Sequence, residues 1–160
     1  METSGQPGPV IVCLEHEQHL APLMRCGTAM ALLLNASLYL AVVLVLPSQR
    51  PLDLTDEEEQ AAETLLNAAG ALAAESGLEP SENIWVGRSW QKAIEQMVEE
   101  VSASALVTGW RASGPFHLFD AGRTLLRAIP CPVIMVGQGQ CHHESTRWPP
   151  LWLVKANLHL

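Results

Sequence analysis

The sequence predicts an α/β fold in three layers, with one open, parallel, five-stranded sheet between two layers of helices. Short apolar runs rich in valine, isoleucine and leucine alternate strictly with stretches of helical periodicity. Strands that alternate with helices in this way form parallel sheets through right-handed crossovers, and the helices cover both faces. The length of 160 residues and the apolar content of 48% suit one domain with one buried core.

The first strand–helix–strand unit covers residues 9–46. Residues 9–14 are almost wholly apolar and predict the first strand, which a polar loop follows. Helical spacing then extends to about Asn35, and a second strand is predicted at residues 38–46, before Pro47. The inward face of the predicted helix comprises Leu20, Leu23, Met24, Gly27, Ala31 and Leu34.

Residues 29–46 carry no charge, and this length of apolar chain also matches a membrane span. Asn35 and Ser37 interrupt the run, and its composition changes there from alanine, methionine and leucine to mostly valine and leucine. That change favours a helix end followed by a fully buried parallel strand. We therefore expect no stable membrane insertion.

A capping box opens the second helix. Thr55 and Glu58 form the box, further acids occupy the first turn, and Gly77 ends the helix. Residues 83–87 predict the third strand, and Ser89 is placed to cap the third helix. The buried stripe of that helix comprises Trp90, Ile94, Met97, Val98 and Val101.

The last predicted unit contains a loop rich in small residues. An apolar run at residues 103–109 predicts the fourth strand, and the loop follows it. After Gly122, apolar residues at helical spacing predict a short helix that Pro130 ends, and residues 133–136 predict the last strand. Loops that open into a helix N-terminus bind phosphates, because free backbone N–H groups point into them.

A spaced motif in this unit carries the most specific signal. It reads Gly109, two residues, Ala112, nine residues, Gly122, Arg123-Thr124 and, later, Pro130-Cys131-Pro132-Val133. The frame resembles that of the universal stress protein family, which has Gly-x2-Gly-x9-Gly-Ser/Thr before a helix, Pro-Cys-Pro-Val and a last strand. Ala112 replaces the second glycine of the frame, and Arg123 replaces its Ser/Thr.

The resemblance covers about residues 8–137 and implies an adenine-nucleotide alpha-hydrolase-like fold with strand order 3-2-1-4-5. In that order, the loop of Glu15 and the loop of Gly109 face each other at the switch point between the first and fourth strands. Open α/β sheets bind their ligands at such a point.

The resemblance also implies a nucleoside site. Glu15 matches the family's aspartate at the end of the first strand, which contacts the nucleoside, and an ordinary solvated loop acid is an equal alternative. Val45 matches the position that meets the adenine, although a lone valine in a strand is first a core residue. Gly109 and Gly122 would let the backbone reach phosphate oxygens, or serve only as turn residues.

The phosphate half of the site departs from the family's pattern. Arg123 would pair with a phosphate, and Thr124 would supply a hydroxyl one position after the family's Ser/Thr. Alternatively, Arg123 is a surface charge and Thr124 an ordinary residue at the start of the helix. A Cβ at Ala112 crowds a phosphate, and Pro115 removes a donor N–H. The resemblance implies ATP or AMP as the cofactor. The residues of the motif alone do not predict that either nucleotide binds.

Three segments are expected: an N-terminal extension (residues 1–7), a stress-protein-like domain (8–137) and a C-terminal tail (138–160) that contains tryptophan and proline. The last predicted strand runs from Val133 to Val136 and is apolar, with one edge unpaired. Such an edge invites pairing, and family members pair their last strands, so we expect a homodimer. The tail is expected to pack on its own domain or on a partner.

Composition and missing motifs exclude several functions. The formal net charge of −8 argues against a nucleic-acid surface. The N-terminus lacks a signal peptide, which indicates a cytoplasmic protein. The sequence contains no hydrolase, kinase or zinc-protease motif, so it predicts neither catalysis nor a metal site. Gly109-Trp110-Arg111 resembles domains linked to cation/proton antiporters, which implies a transporter or other protein partner.

Two functions remain at this point. The first is a non-catalytic stress-response regulatory domain that acts by dimerisation and protein contacts, with a degenerate nucleotide pocket. The alternative is an ATP- or AMP-binding sensor that regulates a partner. An enzyme that acts on phosphate would need a base or metal carboxylate, for which Glu15, Glu17 and Asp120 are the candidates.

Overall fold

The computed structural model describes residues 7–15, 17–110 and 127–137, which form one parallel sheet flanked by helices. The strands are β1 (Val10–Leu14), β2 (Leu38–Val45), β3 (Ser81–Gly87), β4 (Ala105–Trp110) and β5 (Val133–Gly137). A 3-10 turn (Glu17–His19) leads into α1 (Leu20–Leu34), and the other two helices are α2 (Asp56–Glu75) and α3 (Trp90–Val101).

The five strands lie in the order β3-β2-β1-β4-β5, and all of the pairings are parallel. Val10 of β1 is level with Leu38 on one side and with Ala105 on the other. The predicted fold class and strand order are therefore confirmed, and the chain reverses its direction of winding between β1 and β4.

Alternate residues of the strands build two cores, one on each face of the sheet. Val10, Val12 and Leu14 of β1 belong to the core under α1 and α2. Ile11 and Cys13 belong to the opposite core, which α3 covers. Every residue of β1 is buried, as expected for a central strand covered on both faces.

The predicted inward face of α1 is correct except at Leu34. The other five predicted positions are buried, together with Thr28, whereas Leu34 is 38% exposed. Asn35 adopts a left-handed conformation (φ 49°), and the Ala36 N–H donates to the carbonyl of Ala31. This Schellman turn folds the chain back, so that Ala36 is buried and Leu34 is left outside.

The predicted boundaries of α2 and α3 agree with the structure. The Thr55 Oγ1 accepts from the Glu58 N–H at 3.3 Å, and the Glu58 carboxylate accepts from the Thr55 N–H at 3.0 Å. Gly77 follows α2 with φ 73°. Ser89 occupies the N-cap position of α3, but its side chain makes no capping hydrogen bond, so that part of the expectation is wrong.

The apolar run of residues 29–46 is divided, as predicted, between the end of α1 and β2. Within the described ranges, no helix is both long enough and apolar enough to cross a membrane. Of the short helix predicted after Gly122, Arg127 and Ala128 are helical, and the residues before them lie outside the described part of the chain.

Candidate functional site

The carboxyl ends of β1 and β4 lie side by side at the switch point of the sheet. Cys13 of β1 is level with Thr108 of β4, so the same register places Leu14 level with Gly109. Glu15 follows β1 directly and is partly buried. The structure thus brings together Glu15 and Gly109, as the sequence predicted, at the position where open α/β sheets bind ligands.

Gly109 lies inside β4 and not at its end, because the strand continues to Trp110 and Gly109 is level with Val136 of β5. The prediction that Gly109 ends the strand is therefore wrong by one residue. Glycine carries no side chain, so position 109 itself places no side-chain atom in the way of a group that approaches the backbone of β4.

Strand β2 extends beyond its neighbour β1. Leu14, the last residue of β1, is level with Val42, and β2 continues to Val45, which pairs with Gly87 of β3. Three further residues at a rise of about 3.3 Å carry Val45 roughly 10 Å past the end of β1. Val45 is 48% exposed, so the interpretation of Val45 as a core residue is wrong. Val45 is therefore an exposed apolar side chain at the carboxyl edge of the sheet.

A buried thiol and a buried hydroxyl lie below this edge. Burial, and then the charge of Glu15, raise the pKa of the Cys13 thiol well above its usual range. Cys13 is therefore a protonated core thiol and a poor nucleophile.

The neighbouring hydroxyl, that of Thr108, is wholly buried and has no hydrogen-bond partner in the described part of the chain. Buried hydroxyls are almost always paired in native proteins, and bound water or ligand is the usual partner when protein atoms are not.

Two arginines that the sequence reasoning missed fasten the loop between β2 and α2. Arg50 donates to both carboxylate oxygens of Glu58, at 2.7 and 2.5 Å, and to the Asp53 carbonyl at 3.1 Å. Arg88, which follows β3, donates to the Pro47 carbonyl. The loop that follows Val45 is thus held at both of its ends. Arg50, eight residues before Glu58, is too far away for a helical pairing rule to reveal the contact.

The Arg50 guanidinium, with a smaller contribution from the Thr55 backbone N–H, lowers the pKa of Glu58 to about 2. Glu58 therefore stays ionised over the whole physiological range and keeps the first turn of α2 in place beside the loop.

The remaining predicted site residues, Gly122, Arg123 and Thr124, lie outside the described residues, as do Ala112 and Pro115. Of the residues that the resemblance assigns to a nucleoside site, the structure describes Glu15 and Gly109 side by side, and Val45 farther along the same edge of the sheet. A carboxylate accepts hydrogen bonds from hydroxyl groups, and an exposed valine offers an apolar contact.

Comparison with known proteins agrees with this fold. The profile of the Universal stress protein family matches residues 5–137. No curated protein sequence matches the chain at a significant level.

Solved structures share the fold. The universal stress protein from Archaeoglobus fulgidus superposes with a TM-score of 0.65 at 22% identity, over 80% of this chain and 97% of that chain. A universal stress protein from Archaeoglobus fulgidus in complex with dAMP gives a TM-score of 0.61, also at 22% identity, over 80% of this chain and 96% of that chain. A universal stress protein family protein from Arabidopsis thaliana with AMP bound gives 0.54 at 17% identity, over 84% and 94%.

Proposed function

Because this chain belongs to the universal stress protein family, we propose that it is a non-catalytic stress-response regulatory domain that binds an adenosine monophosphate-type nucleotide. The observation that carries the proposal is the juxtaposition of Glu15 and Gly109 at the β1–β4 switch point, with Val45 projecting above them. Nucleotide binding adjusts the surface that the domain offers to a second copy or to a partner such as a transporter.

The nucleoside half of the site supports this ligand class. The Glu15 carboxylate follows β1 at the level of the β4 backbone, where a ribose can donate to it. The exposed Val45 gives the adenine an apolar contact, and the Arg50 and Arg88 contacts keep the following loop in place. The Thr108 hydroxyl has no hydrogen-bond partner among the described residues, which favours a polar ligand, or water held by one, at this end of β4.

The phosphate half of the motif favours one phosphate over three. The family frame offers two glycines for close approach around the phosphates, and here Ala112 replaces the second glycine. Pro115 supplies no N–H, and Arg123 takes the position of the Ser/Thr hydroxyl. A single phosphate needs few donors, and one arginine satisfies it with charge-assisted hydrogen bonds. Structural neighbours hold dAMP, cAMP or AMP, each with one phosphate.

A regulatory role is consistent with the chemistry at the edge. Proteins of this family are generally regulatory and not catalytic. Cys13, the buried thiol nearest Glu15, is held in its protonated form, so it does not serve as an attacking thiolate. We place the domain in the cytoplasm and assign its assembly to a homodimer through β5, which is an edge strand of the described sheet.

The test is a thermal-shift and calorimetric titration with AMP, ATP and GMP. A ligand that binds only the folded state raises the melting temperature as its concentration increases. We expect AMP to raise the melting temperature and to give a saturable calorimetric isotherm, and ATP to raise the melting temperature less. In Glu15→Ala, the AMP affinity should be roughly 10–100-fold weaker, the range for loss of a charged hydrogen bond. Glu17→Gln is the matched control, since Glu17 is exposed and two residues away.

The alternative function is an interaction module whose nucleotide pocket is lost, and Ala112 and Pro115 are the observations that favour it. No shift with any nucleotide at millimolar concentration supports this alternative and overturns the nucleotide proposal. A shift that is equal in wild type and Glu15→Ala overturns the assignment of the site.

A further inference from the structure

The outer surface of α1 is apolar. Its last turn exposes Leu32 (59%), Leu33 (77%) and Leu34 (38%), and the exposed Ala29 lies one turn earlier on the same side. Arg25 is the single charged residue among the fifteen of the helix. Clustered exposed apolar side chains usually mark an interaction surface, which makes the outer surface formed by Ala29 and Leu32–Leu34 a docking site.

The position of α1 brings this surface near the point where the described chain ends. Helix α1 packs on β4 and β5 as well as on β1, whereas α2 packs on β2. Strand β5 is an edge strand, and the chain leaves it at Gly137. Of the two described helices on this face, α1 is therefore the one next to the start of the C-terminal segment, residues 138–160.

The composition of residues 138–160 is that of a chain that needs burial. Glu144 is its one acid, and Arg147 and Lys155 are its bases, so its formal charge is +1 (2 − 1) and that of residues 1–137 is −9 (−8 − 1). The segment and the domain thus attract each other weakly at neutral pH. The apolar side chains cluster in the second half of the segment, as Trp148, Leu151, Trp152, Leu153, Val154, Leu158 and Leu160.

The segment is long enough to reach the apolar surface. Leu33 lies thirteen residues into α1, which at 1.5 Å per residue is about 20 Å from the helix start. Because crossover helices run antiparallel to their strands, this distance separates the carboxyl edge of the sheet from the exposed leucines. Eleven residues join Gly137 to Trp148, and an extended chain of that length spans up to about 36 Å.

We propose that the C-terminal segment folds back and docks Trp148 and its apolar neighbours up to Val154 on the outer surface of α1. A tethered segment meets this surface at an effective concentration in the millimolar range, which favours it over a second copy of the protein. Docking buries Leu32 and Leu33, and it also buries the tryptophan side chains of the segment.

The first test is disulfide trapping in the full chain, with Cys26→Ser and Cys141→Ser as background. Leu33→Cys is combined with Leu153→Cys, and the matched control combines Glu63→Cys, an exposed position on α2, with the same tail cysteine. Under mild oxidation, we expect the 33–153 pair to close within one chain at least tenfold faster than the 63–153 pair. Equal rates, or no disulfide at 33–153, overturn the proposal. A disulfide that joins two chains assigns the surface to a second copy and also overturns it.

The second test needs no engineered cysteine. Trypsin cleaves after Arg147 only when the segment around it is undocked. We expect Leu33→Asp to raise the rate of this cleavage several-fold, while Glu63→Ala leaves it unchanged. Leu33 is 77% exposed, so the substitution does not disturb the core. An unchanged cleavage rate in Leu33→Asp shows that the segment does not depend on this surface and overturns the proposal.

Discussion

Helices α1 and α2 cover the same face of the sheet, but their solvent-facing surfaces differ in polarity. Six of the twenty residues of α2 are acids, and a capping box opens the helix. Helix α1 has one charged residue, no acid in its first turn and no side-chain cap at His19. Helix α2 is therefore stabilised by its own sequence as well as by packing, whereas α1 depends on packing alone. The two helices show that one layer of a fold can combine a solvated helix with one that needs covering.

The glycines of the two helices sharpen this comparison and give the largest expected effect. A Cβ at Gly27 of α1 would collide with the Cγ2 of Val12, a stiff side chain in the central strand. A Cβ at Gly70 of α2 would meet only the Glu82 carboxylate oxygen, at 2.7 Å, the far end of a flexible side chain. We expect Gly27→Ala to lower the free energy of unfolding by about 1–3 kcal/mol, as overpacked core substitutions do. Urea denaturation measures this change in the free energy of unfolding.

Gly70→Ala is the matched control for that substitution. Alanine is the better helix former by up to about 1 kcal/mol, and the Glu82 side chain can move aside at little cost. The control should therefore be neutral or stabilising. If both alanine variants were stabilising, α1 would not be seated tightly on Val12, and its dependence on packing would be disproved.

The capping box of α2 gives the next largest effect. Thr55→Ala removes the acceptor of the Glu58 N–H and should lower the free energy of unfolding by about 0.5–2 kcal/mol. The matched control is Ser89→Ala at the N-cap of α3, whose side chain makes no capping hydrogen bond and should change stability much less. Chemical denaturation of both variants compares them. An equal loss in the two would mean that the threonine hydroxyl adds nothing to the start of α2.

Features encoded within a few residues were predictable from the sequence. The capping box at Thr55 and the glycine at position 77 gave the limits of α2, because both act within one helical turn. The alternation of apolar runs gave the fold class, and the motif around Gly109 gave the strand order only through its family resemblance.

Features that depend on relative strand length or on distant contacts were not predictable. Val45 was expected in the core, but it is exposed because β2 extends three residues beyond the end of β1. No local sequence pattern encodes the relative lengths of two strands. The contact of Arg88 with the Pro47 carbonyl joins residues 41 apart in sequence. Of the candidate site, Glu15 and Gly109 lie together as predicted, and the roles of Gly122, Arg123 and Thr124 stay predictions.

The smallest expected effect is a pH dependence confined to the first turn of α2. The Arg50 hydrogen bond lowers the pKa of Glu58 from 4.5 to about 2, so its stabilising contribution is complete above about pH 4.5 and is lost as pH falls towards 2. The stability difference between wild type and Glu58→Gln, from urea denaturation at successive pH values, should shrink across that window. In an Arg50→Gln background, most of the difference should already be absent. A difference that stays constant from pH 7 to pH 2.5 would show that the pair does not stabilise α2, which would then depend on packing as α1 does.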